Sequence, residues 1–213
     1  MKRIIILLSL CFLSCAAAAA AGREEATPVK PESGFVYDAA SAVEYSYKWT
    51  ADKKNIILFN PEYKYYPNSD CTNYVSQCLR AGGFEADGET LFIYYCPDEK
   101  KEMVGCGWDA GADSWILPYA LCAYLVALGY EYAESPDPED LAPGDIIFYD
   151  WDGGGVINHS AIVVKEGPDA KVNAHTNNRL EADWRLGADL KNGAVIGAVF
   201  LSHGTEKILS KGD

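Results

Sequence analysis

Asn68-Ser-Asp-Cys-Thr-Asn-Tyr-Val-Ser-Gln-Cys-Leu-Arg-Ala-Gly-Gly83 reads as a helix with both of its punctuation marks. Ser69 or Asp70 supplies the cap, Gly82 and Gly83 supply the stop, and the spacing predicts a helix over residues 70–81. Upstream, residues 37–50 carry alanines, Val43 and Trp49 without proline or glycine, and predict an earlier helix. Downstream, Asp113 or Ser114 caps a third helix that passes through Leu121, Leu125 and Leu128 to Gly129. Ser135-Pro-Asp-Pro138 then marks a break, and the character of the chain changes. Residues 146–149, 160–164, 172–175 and 195–201 are short, β-branched runs separated by Gly, Asp and Asn turns, which is the pattern of strands. Helices first and strands afterwards predict an α+β domain, with N-terminal helices packed on an antiparallel β-sheet. Residues 84–112 show no steady period and read as a long excursion between the two halves.

The 213 residues, 49% hydrophobic and 23% charged, have the composition of a globular chain and accommodate one ordinary domain plus a short appendage. Eighteen basic against 31 acidic residues give a net charge of −13. The first 22 residues contribute only Lys2 and Arg3, so the chain without them stands at −15. No Lys/Arg cluster offers itself to a phosphate backbone, which excludes nucleic-acid binding as the main function. The same balance disfavours attachment to an anionic surface by charge. A monomer without cofactor is the expectation.

Residues 1–22 have the layout of a secretory signal peptide: a positive start, an apolar core over residues 4–13 too short to span a bilayer, then small residues. Two exits are open. The alanines at 16–21 suit ordinary signal peptidase, whereas Phe12-Leu-Ser-Cys15 resembles a loose lipobox that would leave a lipid anchor on Cys15. Either exit places the working protein outside the cytoplasm, secreted or at the cell surface. Residues 23–34, rich in Glu, Pro and Lys, read as a flexible linker, residues 35–205 as the domain, and residues 206–213 as a tail.

Beyond the leader, Cys71, Cys78, Cys96, Cys106 and Cys122 form an odd set, so an exported chain keeps at least one free thiol. Cys96 and Cys106 flank a polar loop, where a local disulfide is one option. No CxxC or HExxH occurs, and three histidines in all make a structural zinc improbable. Cys71 lies just inside a helix N-terminus, where backbone N–H groups and the macrodipole favour a thiolate. Cys78, two turns deeper, reads as buried. His159 opens an apolar run directly after the turn Asp152-Gly-Gly-Gly155, placed to serve a thiol as its base. His175 lies on what reads as the adjacent strand, and would bond the far nitrogen of His159 if those strands pair.

Asp70-Cys-Thr-Asn-Tyr-Val-Ser-Gln77, Pro143-Gly-Asp-Ile-Ile-Phe-Tyr-Asp-Trp151 and Asn158-His-Ser-Ala-Ile-Val-Val164 together resemble the bacterial putative amidase domain family, a relative of the NlpC-type papain-like cell-wall peptidases. Ser114-Trp115 with the apolar helix after it also fits, and the likeness runs from about residue 35 to 201. The resemblance implies a papain-like core, Cys71 as nucleophile, His159 as base and His175 as the third polar residue. Asp70 is read two ways, as a group that recognises a substrate amine or as the helix cap. Trp151, with Trp108, Trp115 and Trp184, is read as a stacking surface for sugar or peptide or else as core. Residues 85–109 depart from any pattern of the family and are candidates for shaping the cleft. The expected activity is a secreted cysteine amidase or peptidase that hydrolyses amide bonds in peptidoglycan peptides through a Cys71 thioester. The rivals are an inactive wall-binding module on the same fold and an acyl transferase using the same thioester.

Overall fold

Asp38 caps the first described helix by accepting from the Ser41 backbone N–H at 3.0 Å and from its hydroxyl at 2.6 Å. This side-chain cap satisfies donors that the first turn leaves open, and α1 follows over Ala39–Lys48. The computed structural model describes residues 36–51, 56 and 58–202. The expectations for the leader with Cys15, the linker, the tail and His203 lie outside the described residues.

Helix α2, Cys71–Ala81, is buried at every position from Cys71 to Leu79, so it is the central helix. The stretch read as a long excursion without steady period forms an antiparallel hairpin of β1, Asp87–Cys96, and β2, Lys101–Trp108. Its inner face presents Phe92 and Tyr94, while Leu91, Ile93 and Val104 face outward. Apolar residues on both faces erase the alternation by which a strand is recognised. The Phe92 ring lies across Gly105, where a Cβ would come within 2.1 Å of it. The hairpin rests on the helices through the Tyr94 hydroxyl donating to Asp113 (2.6 Å) and the Tyr124 hydroxyl donating to Asp87 (3.1 Å).

The expected third helix is two: α3, Asp113–Ile116, and α4, Pro118–Ala127. Pro118 has no N–H to continue the ladder but suits the first position of a new helix, so the chain breaks at Leu117. Neither Asp113 nor Ser114 is the cap; that position is Ala112.

Six strands form the main sheet: β3 Glu131–Glu134, β4 Ile146–Asp150, β5 His159–Lys165, β6 Lys171–Ala174, β7 Arg179–Asp183 and β8 Val195–Phe200. Their spatial order is β3-β8-β4-β5-β6-β7, and every neighbouring pair is antiparallel. The protein is thus α+β, as its sequence indicates. Both faces of the sheet are covered. Ile146, Phe148, Ile162, Val164 and Val199 join the helices in one core. Ile147, Tyr149, Ala161, Val163 and Ile196 form a second core with Val172 and Trp184 on the other side.

Pro143-Gly-Asp145 ties these parts together. Gly144 adopts φ +98°, and a Cβ there would lie 2.6 Å from the Ala39 Cβ, so only glycine lets α1 approach. The buried Asp145 carboxylate accepts from the backbone N–H groups of Ala142, Leu201 and Ser202. It thereby anchors the end of β8 beside β4.

Cys71, Cys78, Cys96, Cys106 and Cys122 are all free thiols. The disulfide considered between Cys96 and Cys106 is ruled out by register, since Cys96 pairs with Lys101 and Cys106 with Leu91. Five residues of strand separate them, about 17 Å, far beyond the Cα spacing of a disulfide. Among the described residues no helix is long and apolar enough to cross a membrane.

Candidate active site

Cys71 is the first residue of α2, with Asp70 at the N-cap position. Asp70 makes no side-chain cap bond. Its Oδ1 accepts from the Tyr66 N–H (3.0 Å) and from Asn73 Nδ2 (2.8 Å), and its Oδ2 lies 2.7 Å from His175 Nδ1. Its backbone N–H donates to Thr176 Oγ1 at 3.0 Å. Asp70 thus takes the cap position that one reading gave it, but both carboxylate oxygens are spent inside the fold, leaving neither for a cap bond nor free for a substrate amine. The donors that open α2 are left without a side-chain cap.

His175 is buried in the same cluster. Its Nε2 donates to the Trp49 carbonyl at 2.6 Å, and its ring stacks on Tyr74 at 4.0 Å and 14°. Each ring nitrogen thus meets an acceptor, and the ring is held in one orientation between Asp70 and the Trp49 carbonyl. The bond expected from His175 to His159 is not made. Strands β5 and β6 do pair, but strand alternation sends the two rings to opposite sides of the sheet. On β6, Asn173 reaches Ser46 of α1 at 3.0 Å, and His175, two residues on, shares that side. On β5, Ser160 faces α2 through Thr72 at 3.1 Å, so His159 shares the other side with Ala161 and Val163.

The His159 ring sits against two aromatic rings, 5.5 Å from Tyr149 and 5.6 Å from Trp151. Burial, with the positive Arg179 nearby, lowers its pKa to about 4, so the imidazole is neutral at physiological pH. No protein group among the described residues hydrogen-bonds the ring. Trp151 is the half-exposed member of this group and stacks on Tyr149 at 4.8 Å. It is held by the turn in which Asp150 accepts from the Gly153 and Gly155 N–H groups (2.9 and 2.7 Å). Trp108, Trp115 and Trp184 are core residues.

The Cys71 sulfur lies 3.6 Å from Thr72 Oγ1 and also receives backbone hydrogen bonds from Ser160 and Thr72. Burial raises its pKa above the ordinary thiol value, more than these bonds lower it, and the Asp70 charge adds to the rise. The expected thiolate at the helix start is thus outweighed by desolvation. No hydrogen bond joins the sulfur to His159. The two nevertheless line one cavity of about 270 Å³, together with Trp151, Asn158, Thr176, Arg179 and their neighbours. None of residues 85–109 lines it, so the hairpin does not shape this cleft. Arg179, Asn158 and Asn177 were not singled out in the sequence; the polar turn His175-Thr-Asn-Asn-Arg179 was the signal available.

Cys71 and His159 thus face a shared space, while Asp70 and His175 brace the structure behind it. Over 158 residues the chain is 33% identical to "Uncharacterized protein YhbB" of Bacillus subtilis (strain 168), covering 70% of this chain and 45% of that protein. Over 165 residues it is 30% identical to "Uncharacterized protein YjcM" of the same organism, covering 73% of this chain and 33% of that protein. The chain therefore spans less than half the length of either relative. No solved structure matches it. Residues 36–197, which contain Cys71, His159, all four helices and every strand but the end of β8, match the family described as "Putative amidase domain", and the chain belongs to that family.

Proposed function

We propose that the protein is a cysteine amidase or peptidase of papain-like design, exported by residues 1–22, and that it cleaves amide bonds in peptidoglycan peptides. Family membership supports amide hydrolysis in general. The observation that carries the cysteine mechanism is the shared cavity, with Cys71 at the start of α2 and His159 at the start of β5.

The charge states shape the reaction. With the thiol pKa raised and the imidazole lowered, the resting pair is neutral. His159 then acts as a general base: it takes the Sγ proton while sulfur bonds to the amide carbonyl carbon. The uncapped N–H groups of the first α2 turn are the donors for the resulting oxyanion. His159 returns the proton to the amide nitrogen as the C–N bond breaks, leaving an acyl thioester on Cys71. Water, deprotonated by the same ring, releases the acid and restores the thiol. The rings of Tyr149 and Trp151 offer the transient imidazolium a cation–π surface. Substrate binding has to bring ring and sulfur into contact, since catalytic hydrogen bonds often tighten only in the bound state.

The missing Cys71–His159 hydrogen bond favours one rival, a wall-binding module without turnover. Fragment release from purified peptidoglycan separates the two. The hydrolase reading expects release that falls at least about a thousandfold in Cys71→Ala and in His159→Ala. Wall binding without release by the unmodified protein would favour the module. Iodoacetamide is a poor probe here, because Cys106 is exposed and Cys71 buried.

A further inference from the structure

Arg179, the first residue of β7, lines the cavity that holds Cys71 and His159. Its guanidinium makes no hydrogen bond or ion pair among the described residues. The other described arginines are engaged: Arg80 bonds Asp109 at 2.9 Å and lies over Trp108, and Arg185 lies over Trp184 beside Asp183. The nearest acidic residue in sequence, Glu181, is taken by Lys165 and by the Tyr47 hydroxyl. In a chain with 31 acidic residues, it is unusual that no carboxylate among the described residues pairs with this guanidinium. The cavity lining contains no acidic residue at all, and its other polar members include the neutral Asn158, Asn177 and Ser69. An acidic protein has here assembled a small positive chamber with amide and hydroxyl donors around it.

We propose that Arg179 is a specificity-determining residue that binds a substrate carboxylate, so that the preferred substrate carries an ionised carboxyl group next to the amide bond presented to Cys71. The second half rests on the hydrolase reading; the first does not. A guanidinium fork matches a carboxylate in two parallel N–H···O bonds, and within a cavity such a pair gains strength from exclusion of water. The volume of about 270 Å³ is at the small end for ligand sites, suited to one or two amino-acid units rather than a glycan strand. Binding and chemistry are coupled by charge. Arg179 is one cause of the low basicity of His159, and a carboxylate paired to Arg179 cancels that contribution as the substrate arrives.

Calorimetry on the Cys71→Ala full-length chain tests the idea without turnover. The probes are an N-acetylated alanyl-glutamyl-lysine stem tripeptide with free carboxylates and the same peptide with both carboxylates converted to carboxamides. The acid form is expected to bind at least tenfold tighter. Adding Arg179→Gln should abolish the difference, and adding Arg179→Lys should keep part of it. A thermal melt of each variant confirms folding. Equal binding of the two forms with Arg179 present, discrimination that survives Arg179→Gln, or no binding of either form at millimolar concentration overturns the proposal. Turnover by the unmodified protein is read separately. Discrimination in binding with no hydrolysis leaves Arg179 in place and removes the hydrolase reading, while hydrolysis of both peptides at one rate does the reverse.

Discussion

At the scale of single residues, two opposing effects meet on the Cys71 sulfur. The start of a helix favours the anion, and the backbone bonds from Ser160 and Thr72 do the same. Removal from water disfavours it, and in this buried position desolvation is the larger effect. His159 is driven in the complementary direction, toward the neutral base. The pH dependence follows with a definite sign. The ring can accept a proton only while uncharged, and it is charged below about 4, so kcat/KM should fall as the pH drops through about 4. A solvated histidine would give that fall near 6.5. Because the thiol pKa is raised, no preformed thiolate–imidazolium pair is available to lose at mildly alkaline pH. A kcat/KM profile on a neutral peptide amide checks this, and an acid limb centred between 6 and 7 would contradict the neutral-pair mechanism.

Among the elements, the β1–β2 hairpin separates what is buried from what merely looks apolar. Phe92 is 4% exposed and packs on Tyr94 and Tyr124, whereas Leu91 and Val104 are 62% and 67% exposed. Phe92→Ala is expected to cost about 3–5 kcal/mol, since it empties space between the hairpin and α4. Leu91→Thr and Val104→Thr should each stay within about 0.5 kcal/mol. Urea denaturation followed by circular dichroism distinguishes these outcomes. The central strands β4, β5, β6 and β8 were legible in the sequence because burial on both faces makes them continuous β-branched runs. The edge strands β3 and β7, Glu-Tyr-Ala-Glu and Arg-Leu-Glu-Ala-Asp, were not. Charged residues suit a half-solvated edge and hide it from a reading based on hydrophobicity.

On the scale of the whole molecule, the Asp70–His175 pair joins three parts of the chain. It links the start of α2 to the end of β6, and through the Trp49 carbonyl to the end of α1. Both side chains are almost fully buried. Asp70→Asn weakens a buried hydrogen bond to His175 and should cost about 1–3 kcal/mol. Combining it with His175→Gln should cost less than the sum of the two single changes, because the interaction is shared; strict additivity in a double-mutant cycle would show that the two do not interact. The amino-acid order by itself determined the α+β class, the helix that presents Cys71, the central strands and the family motifs, because these depend on local spacing and turn chemistry. Only the tertiary structure decided which side of the sheet each histidine occupies, that Asp70 turns away from the cavity toward His175, that the sulfur is held as a thiol, and that Arg179 joins the cavity. Those outcomes depend on strand register and on desolvation by residues far away in the chain, and a strand shifted by one residue would exchange its faces without altering its composition.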